Sequence, residues 1–141
     1  MLSWQAWAMG SAAFAALTAI FAKLGVSEVP PDMATFLRTA VILLLAGGVV
    51  AATGQWVSPR EIPLRGALFL VLSGLATGAS WLCYFRALRL GEASRVAPVD
   101  KLSVVLVAVF AALVLGEKLS LAHWAGVGLV AAGAVLLALP V

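Results

Sequence analysis

Charge is what this sequence has least of. Asp, Glu, Lys and Arg together make up 11% of its 141 residues, where a soluble domain carries about 25%. Cysteine is nearly absent too. Cys83 is the only one, so an internal disulfide is excluded; inside a long apolar run it reads as a small packing residue. Histidine is limited to His123. No nucleophile–base pair, metal-ligand spacing, phosphate-cradling glycine loop or basic tract is legible. These gaps argue against an enzyme, a metal or cofactor site, and a nucleic-acid partner.

Long apolar runs are abundant. Hydrophobic residues fill 64% of the chain, and the mean hydropathy is +1.12. In water such a surface would be one continuous apolar patch, so lipid is the expected solvent. Met1–Ala22, Thr39–Pro59, Gly66–Phe85, Leu102–Gly116 and Leu119–Val141 carry no Asp, Glu, Lys or Arg. A spanning helix needs roughly 20 apolar residues, and all but the fourth run meet that outright. Hydrocarbon offers no partner to free backbone N–H and C=O groups, so each run is predicted to be helical. The runs do not alternate as barrel strands would.

The expected fold is an all-α membrane protein with five transmembrane helices at about 4–24, 35–54, 66–88, 97–116 and 121–139, forming one domain over 1–141. Pro30, Pro31, Pro59, Pro63, Gly91 and Gly116 punctuate short connections. The first run has no basic residue ahead of it, and Lys23 follows it, so it reads as a permanent helix and not a cleaved signal. Pro140 and Val141 are expected to end the chain without a further tail.

The fourth run is short. Leu102–Gly116 spans 15 residues, about 22 Å at 1.5 Å per residue, against a hydrocarbon core about 30 Å thick. One more turn is required. Backward extension takes in Val99, Asp100 and Lys101; forward extension takes in Glu117 and Lys118. Either brings ionisable groups toward the apolar layer, where such groups are costly and mark function.

Crossing parity sorts the remaining charges. Lys23, Arg38, Arg86, Arg89, Arg95, Asp100 and Lys101 fall toward the end opposite the N-terminus. Arg86, Arg89 and Arg95 read as snorkelling side chains. Arg38, Asp100 and Lys101 lie deeper and are candidate solute contacts. Trp4, Trp7, Trp56 and Trp124 form an aromatic belt on the other side, with His123 beside it. Trp81 is the exception, inside the third helix, and with Tyr84 forms an i, i+3 pair that could wall a substrate. Gly74 and Gly78 make a G-x-x-x-G step, a close-packing signal between membrane helices. The positive-inside bias is weak and favours an external N-terminus only slightly. An odd number of crossings suits an inverted-repeat plan, which an antiparallel homodimer of this chain would complete.

The stretch Gly91–Val105, with Ala97-Pro98-Val99-Asp100-Lys101-Leu102-Ser103 at its centre, resembles the signature region of the EamA family of the drug/metabolite transporter superfamily. So do Leu115-Gly116-Glu117-Lys118-Leu119 with the glycine-rich fifth helix, and Ala34-Thr35-Phe36-Leu37-Arg38-Thr39. The resemblance covers essentially the whole chain and implies a single unit, half of a ten-helix transporter with a central cavity. It implies that Pro98 kinks or caps the start of the fourth helix, that Glu117 sits at its far end, and that Arg38, Asp100 and Lys101 lie near the cavity entrance. Small multidrug resistance proteins share the size and antiparallel assembly, but they have four helices and a glutamate in the first. Trp4–Ala22 contains no acid, so proton coupling of that kind would have to use Asp100. The expected function is transport of a small metabolite or drug-like solute across the cell membrane by alternating access. Arg38, Lys101 and Asp100 would recognise charge, Trp81 and Tyr84 apolar parts. Cations outnumber acids in that set, which favours an anionic or zwitterionic solute. The alternatives are a non-transporting membrane subunit or scaffold and a proton-coupled exporter.

Overall fold

The computed structural model describes residues 3–139, so Met1, Leu2, Pro140 and Val141 lie outside it, as does the expectation about the chain's end. All regular structure among the described residues is helical: α1 (Trp4–Glu28), α2 (Pro31–Thr53), α3 (Leu64–Leu90), α4 (Ala93–Asp100), α5 (Ser103–Val114) and α6 (Leu121–Ala138), with one 3₁₀ turn at Pro59–Glu61. Counting Ala93–Val114 as one span, five helices are long and apolar enough to cross a membrane. Almost every side chain in them faces outward, including Leu43, Leu44, Phe69, Val114 and Leu129. That is the arrangement of a chain whose apolar faces meet lipid.

The helices run further than the uncharged stretches. α1 continues four residues past the expected Leu24, to Glu28; α2 begins at Pro31 and not at Thr35; α3 ends at Leu90. A charged residue ends a hydrophobic run, but it does not break a helix whose end protrudes from the apolar layer. Pro31 opens α2 because its missing N–H would be unsatisfied in a first turn anyway. α2 closes on Gly54 at φ 65°, with Gly54 and Gln55 donating back to the carbonyls of Ala51 and Val50. These two hydrogen bonds make the left-handed helix stop that glycine permits.

The fourth span departs most from expectation. It extends backward to Ala93 and stops at Val114, because Gly116 turns the chain at φ 70° and the amides of Leu115 and Glu117 both donate to the Ala111 carbonyl. Glu117 and Lys118 are thereby left beyond the helix. Pro98 sits inside α4 and not at a helix start. Lacking an N–H, it cannot donate to the Ser94 carbonyl. Three residues later the helix gives way to a turn at Lys101–Leu102, where the Lys101 amide is shared between the Ala97 and Pro98 carbonyls.

Two compact units emerge. One comprises residues up to Ala19 together with those from Leu90 onward, and the other is Ile20–Arg89. In the first, α4 and α5 both pack on α6, and Ala108 and Ala134 are buried. Ser120 caps α6, its hydroxyl accepting from the His123 amide and bonding the His123 ring at 2.6 Å. In the second, the buried side chains are Ala22 and Val26 of α1, Thr35 of α2, and Phe85 and Leu88 of α3. They mark the end where α1 finishes, α2 starts and α3 finishes.

Candidate functional site

Cations crowd that end of the second unit, and they meet three kinds of partner: helix-end carbonyls, a carboxylate and aromatic rings. Lys23 donates to the Leu88 carbonyl at 2.6 Å. Arg89 donates to the carbonyls of Val26 and Ser27. These oxygens belong to the last turns of α3 and α1, where the final four carbonyls have no intrahelical donor and carry the negative end of the helix dipole. Arg86 pairs with Asp32 at 2.9 Å, with both side chains more than half exposed. Arg86 and Arg89 are therefore tied to α2 and α1 and do not simply snorkel. Arg95 does the same in the other unit, donating to the Ala138 carbonyl at the end of α6 at 2.9 Å.

Arg38 is different. It is half-buried on α2, and its guanidinium carbon lies 4.0 Å from the centre of the Trp81 ring and 5.5 Å from that of Phe85. Trp81 and Phe85 are one turn apart on α3, so the i, i+4 spacing aims both rings at a single cation. Such a contact contributes about 0.5–2 kcal/mol, more as water is excluded. Tyr84 interacts electrostatically with the same guanidinium. The hydroxyls beside it are self-contained: Thr35 donates to the Pro31 carbonyl at 2.9 Å and Thr39 to that of Thr35 at 2.8 Å.

The structure thus brings Arg38, Trp81 and Tyr84 together in one unit. Phe85 was missed in the sequence, although it stands four residues from Trp81, the spacing that puts two side chains on one helix face. Asp100 and Lys101 belong to the other unit and pair with each other at 3.1 Å. They sit at the break between α4 and α5. A broken span exposes backbone groups and adjacent charges at membrane depth, which is tolerated only where the segment is shielded by protein or lines a wet cavity. Gly74 and Gly78 are open: a methyl group added at either would meet nothing within 4 Å.

Residues 2–139 match the family described as the EamA-like transporter family. The chain belongs to that family. A Sinorhizobium protein named as an uncharacterized transporter in the cobO 3' region is 66% identical over 136 residues, covering 96% of each chain. No solved structure matches. The match bears out a resemblance over essentially the whole chain, and this EamA-family protein is a multi-pass membrane transporter.

Proposed function

We propose that this chain carries a small metabolite or drug-like solute across the cell membrane by alternating access, as an antiparallel homodimer that completes a ten-helix, inverted-repeat arrangement. The observation that carries this reading is the broken fourth span, with Pro98 inside α4 and the Asp100–Lys101 pair at the turn before α5. Discontinuous membrane helices are the usual frame of a midplane transport site, because their interrupted ends present polar backbone to the solute. Arg38, Trp81, Tyr84, Asp100 and Lys101 are the proposed solute contacts. Pro98 and the Gly116–Glu117 turn set where the span bends and stops, and Gly74 and Gly78 offer a small-residue face to the partner. Each bilayer-facing half would rock about the site while the other holds.

Purified protein in liposomes, loaded with a panel of labelled metabolites, tests the reading. Asp100→Asn and Lys101→Ala are expected to abolish flux while leaving the helical circular-dichroism signal and monodispersity intact. A scaffold would tolerate both substitutions and instead lose its partner when Gly74 or Gly78 is enlarged. Cysteine accessibility at both termini in intact cells reads the pairing: labelling of each terminus from both sides supports antiparallel copies, and labelling from one side only refutes them.

A further inference from the structure

We infer that Arg38, backed by Trp81 and Phe85, is a binding site for a single carboxylate group, so that the solute is an organic monocarboxylate. The inference deepens the transport reading and depends on it for the solute's role, but not for the binding itself.

Arg38 stands apart from every other cation at its end of the unit in what it touches. Lys23 and Arg89 are held by helix-end carbonyls, and Arg86 by Asp32. Arg38 meets two aromatic rings, and among the described residues its guanidinium has no carbonyl or carboxylate partner. A ring face attracts the charge, but it is a weak acceptor, so the five N–H donors of the guanidinium meet neither a carbonyl nor a carboxylate, with Tyr84 as their polar neighbour. In a membrane span this is the costly state of a cation. A carboxylate relieves it, because its two oxygens match the planar donor fork in a bidentate pair. The rings hold the guanidinium in place in advance, which lowers the ordering cost of that pair.

Charge balance chooses the class of anion. Arg86 is offset by Asp32, Lys101 by Asp100, and Lys23 and Arg89 by the negative ends of two helix dipoles. Arg38 is left with one positive charge. A monocarboxylate cancels it; a phosphate dianion would carry a second charge into a weakly polar setting with nothing to offset it.

The test uses full-length protein in nanodiscs, with Trp4, Trp7, Trp56 and Trp124 changed to Phe so that Trp81 alone reports. Its fluorescence is titrated with butyrate, with the uncharged butyramide, and with inorganic phosphate. Butyrate is expected to bind about ten- to a hundredfold more tightly than butyramide, the range of a charge-assisted hydrogen bond. Arg38→Met should remove that preference, and Arg38→Lys should keep only part of it, having lost the fork. Equal binding of butyrate and butyramide, tighter binding of phosphate, or a preference that survives in Arg38→Met or undiminished in Arg38→Lys would overturn the assignment. Butyrate bound with the expected selectivity, but with no monocarboxylate flux into liposomes, overturns the solute assignment and the transport reading and leaves Arg38 an anion site. Flux of neutral or cationic solutes without butyrate binding does the reverse.

Discussion

Lys23 and Leu88 join α1 to α3, the ammonium donating to the helix-end carbonyl at 2.6 Å. Arg89, the next residue on α3, donates back to Val26 and Ser27 of α1. The two helices exchange cations for carbonyls. Each supplies the donor that the other's last turn lacks. Val26 and Leu88 are fully buried beside this exchange, so the clamp and the small core of the unit coincide.

Lys23→Met keeps the length and apolar stem of the side chain and removes the donor. It is expected to destabilise the protein by about 1–3 kcal/mol, the cost of leaving a buried acceptor unsatisfied. A detergent-solubilised melting curve should show the transition moving down, whereas a surface substitution such as Lys118→Met should leave it in place.

The Arg86–Asp32 pair should behave differently despite its good distance. Both side chains are more than half exposed, and exposed ion pairs contribute no more than about 1 kcal/mol. Asp32→Asn is expected to lower the melting midpoint only slightly, with the loss shrinking further at high salt. A fall as large as that of Lys23→Met would show that this end of the unit is drier than its exposure indicates.

Two glycines of the second transmembrane segment should respond with opposite sign to the same change. Gly54 adopts φ 65° with open space around it, so Gly54→Ala incurs only the left-handed backbone penalty, about 1 kcal/mol. Gly47 lies within the regular helix and has nothing within 4 Å. Gly47→Ala is expected to stabilise by about 0.5–1 kcal/mol by restricting the unfolded chain. Denaturant titration of both variants measures the pair.

Enlarging Gly74 or Gly78 separates the fold of one copy from the association of two. No atom of the described chain lies within reach of a methyl group at either position, so Gly74→Leu and Gly78→Leu should change the stability of a single copy by less than about 0.5 kcal/mol. If copies pair through this face, the cross-linked dimer is expected to fall sharply in both variants. Unchanged dimer yield would move the pairing surface elsewhere.

The membrane class and the number of crossings were legible in the residues alone, because uncharged runs of spanning length have only one medium that suits them. So was the shortage of apolar length in the fourth span. Its resolution was not. Whether the helix grows toward Ala93 or toward Lys118 depends on the backbone at Gly116, and the left-handed turn there decides it. The roles of the cations were legible only as a tendency to gather at one end. Arg86, Arg89 and Arg95 read alike from spacing, yet one found a carboxylate and two found carbonyls, since the partner depends on which helix end packs within reach.

Composition and run length by themselves determined that this chain lives in lipid with five spans long enough to cross it, and the motifs around Pro98 and Gly116 placed it with the EamA-like transporters. These are properties of transfer free energy and of local motifs, and both are written along the chain. The packing of α1, α2 and α3 alone decided that Arg38 lies on Trp81 and Phe85 while its neighbours are capped by oxygen. A cation's partner is set by contacts between residues dozens of positions apart, and such contacts exist only once the helices have docked.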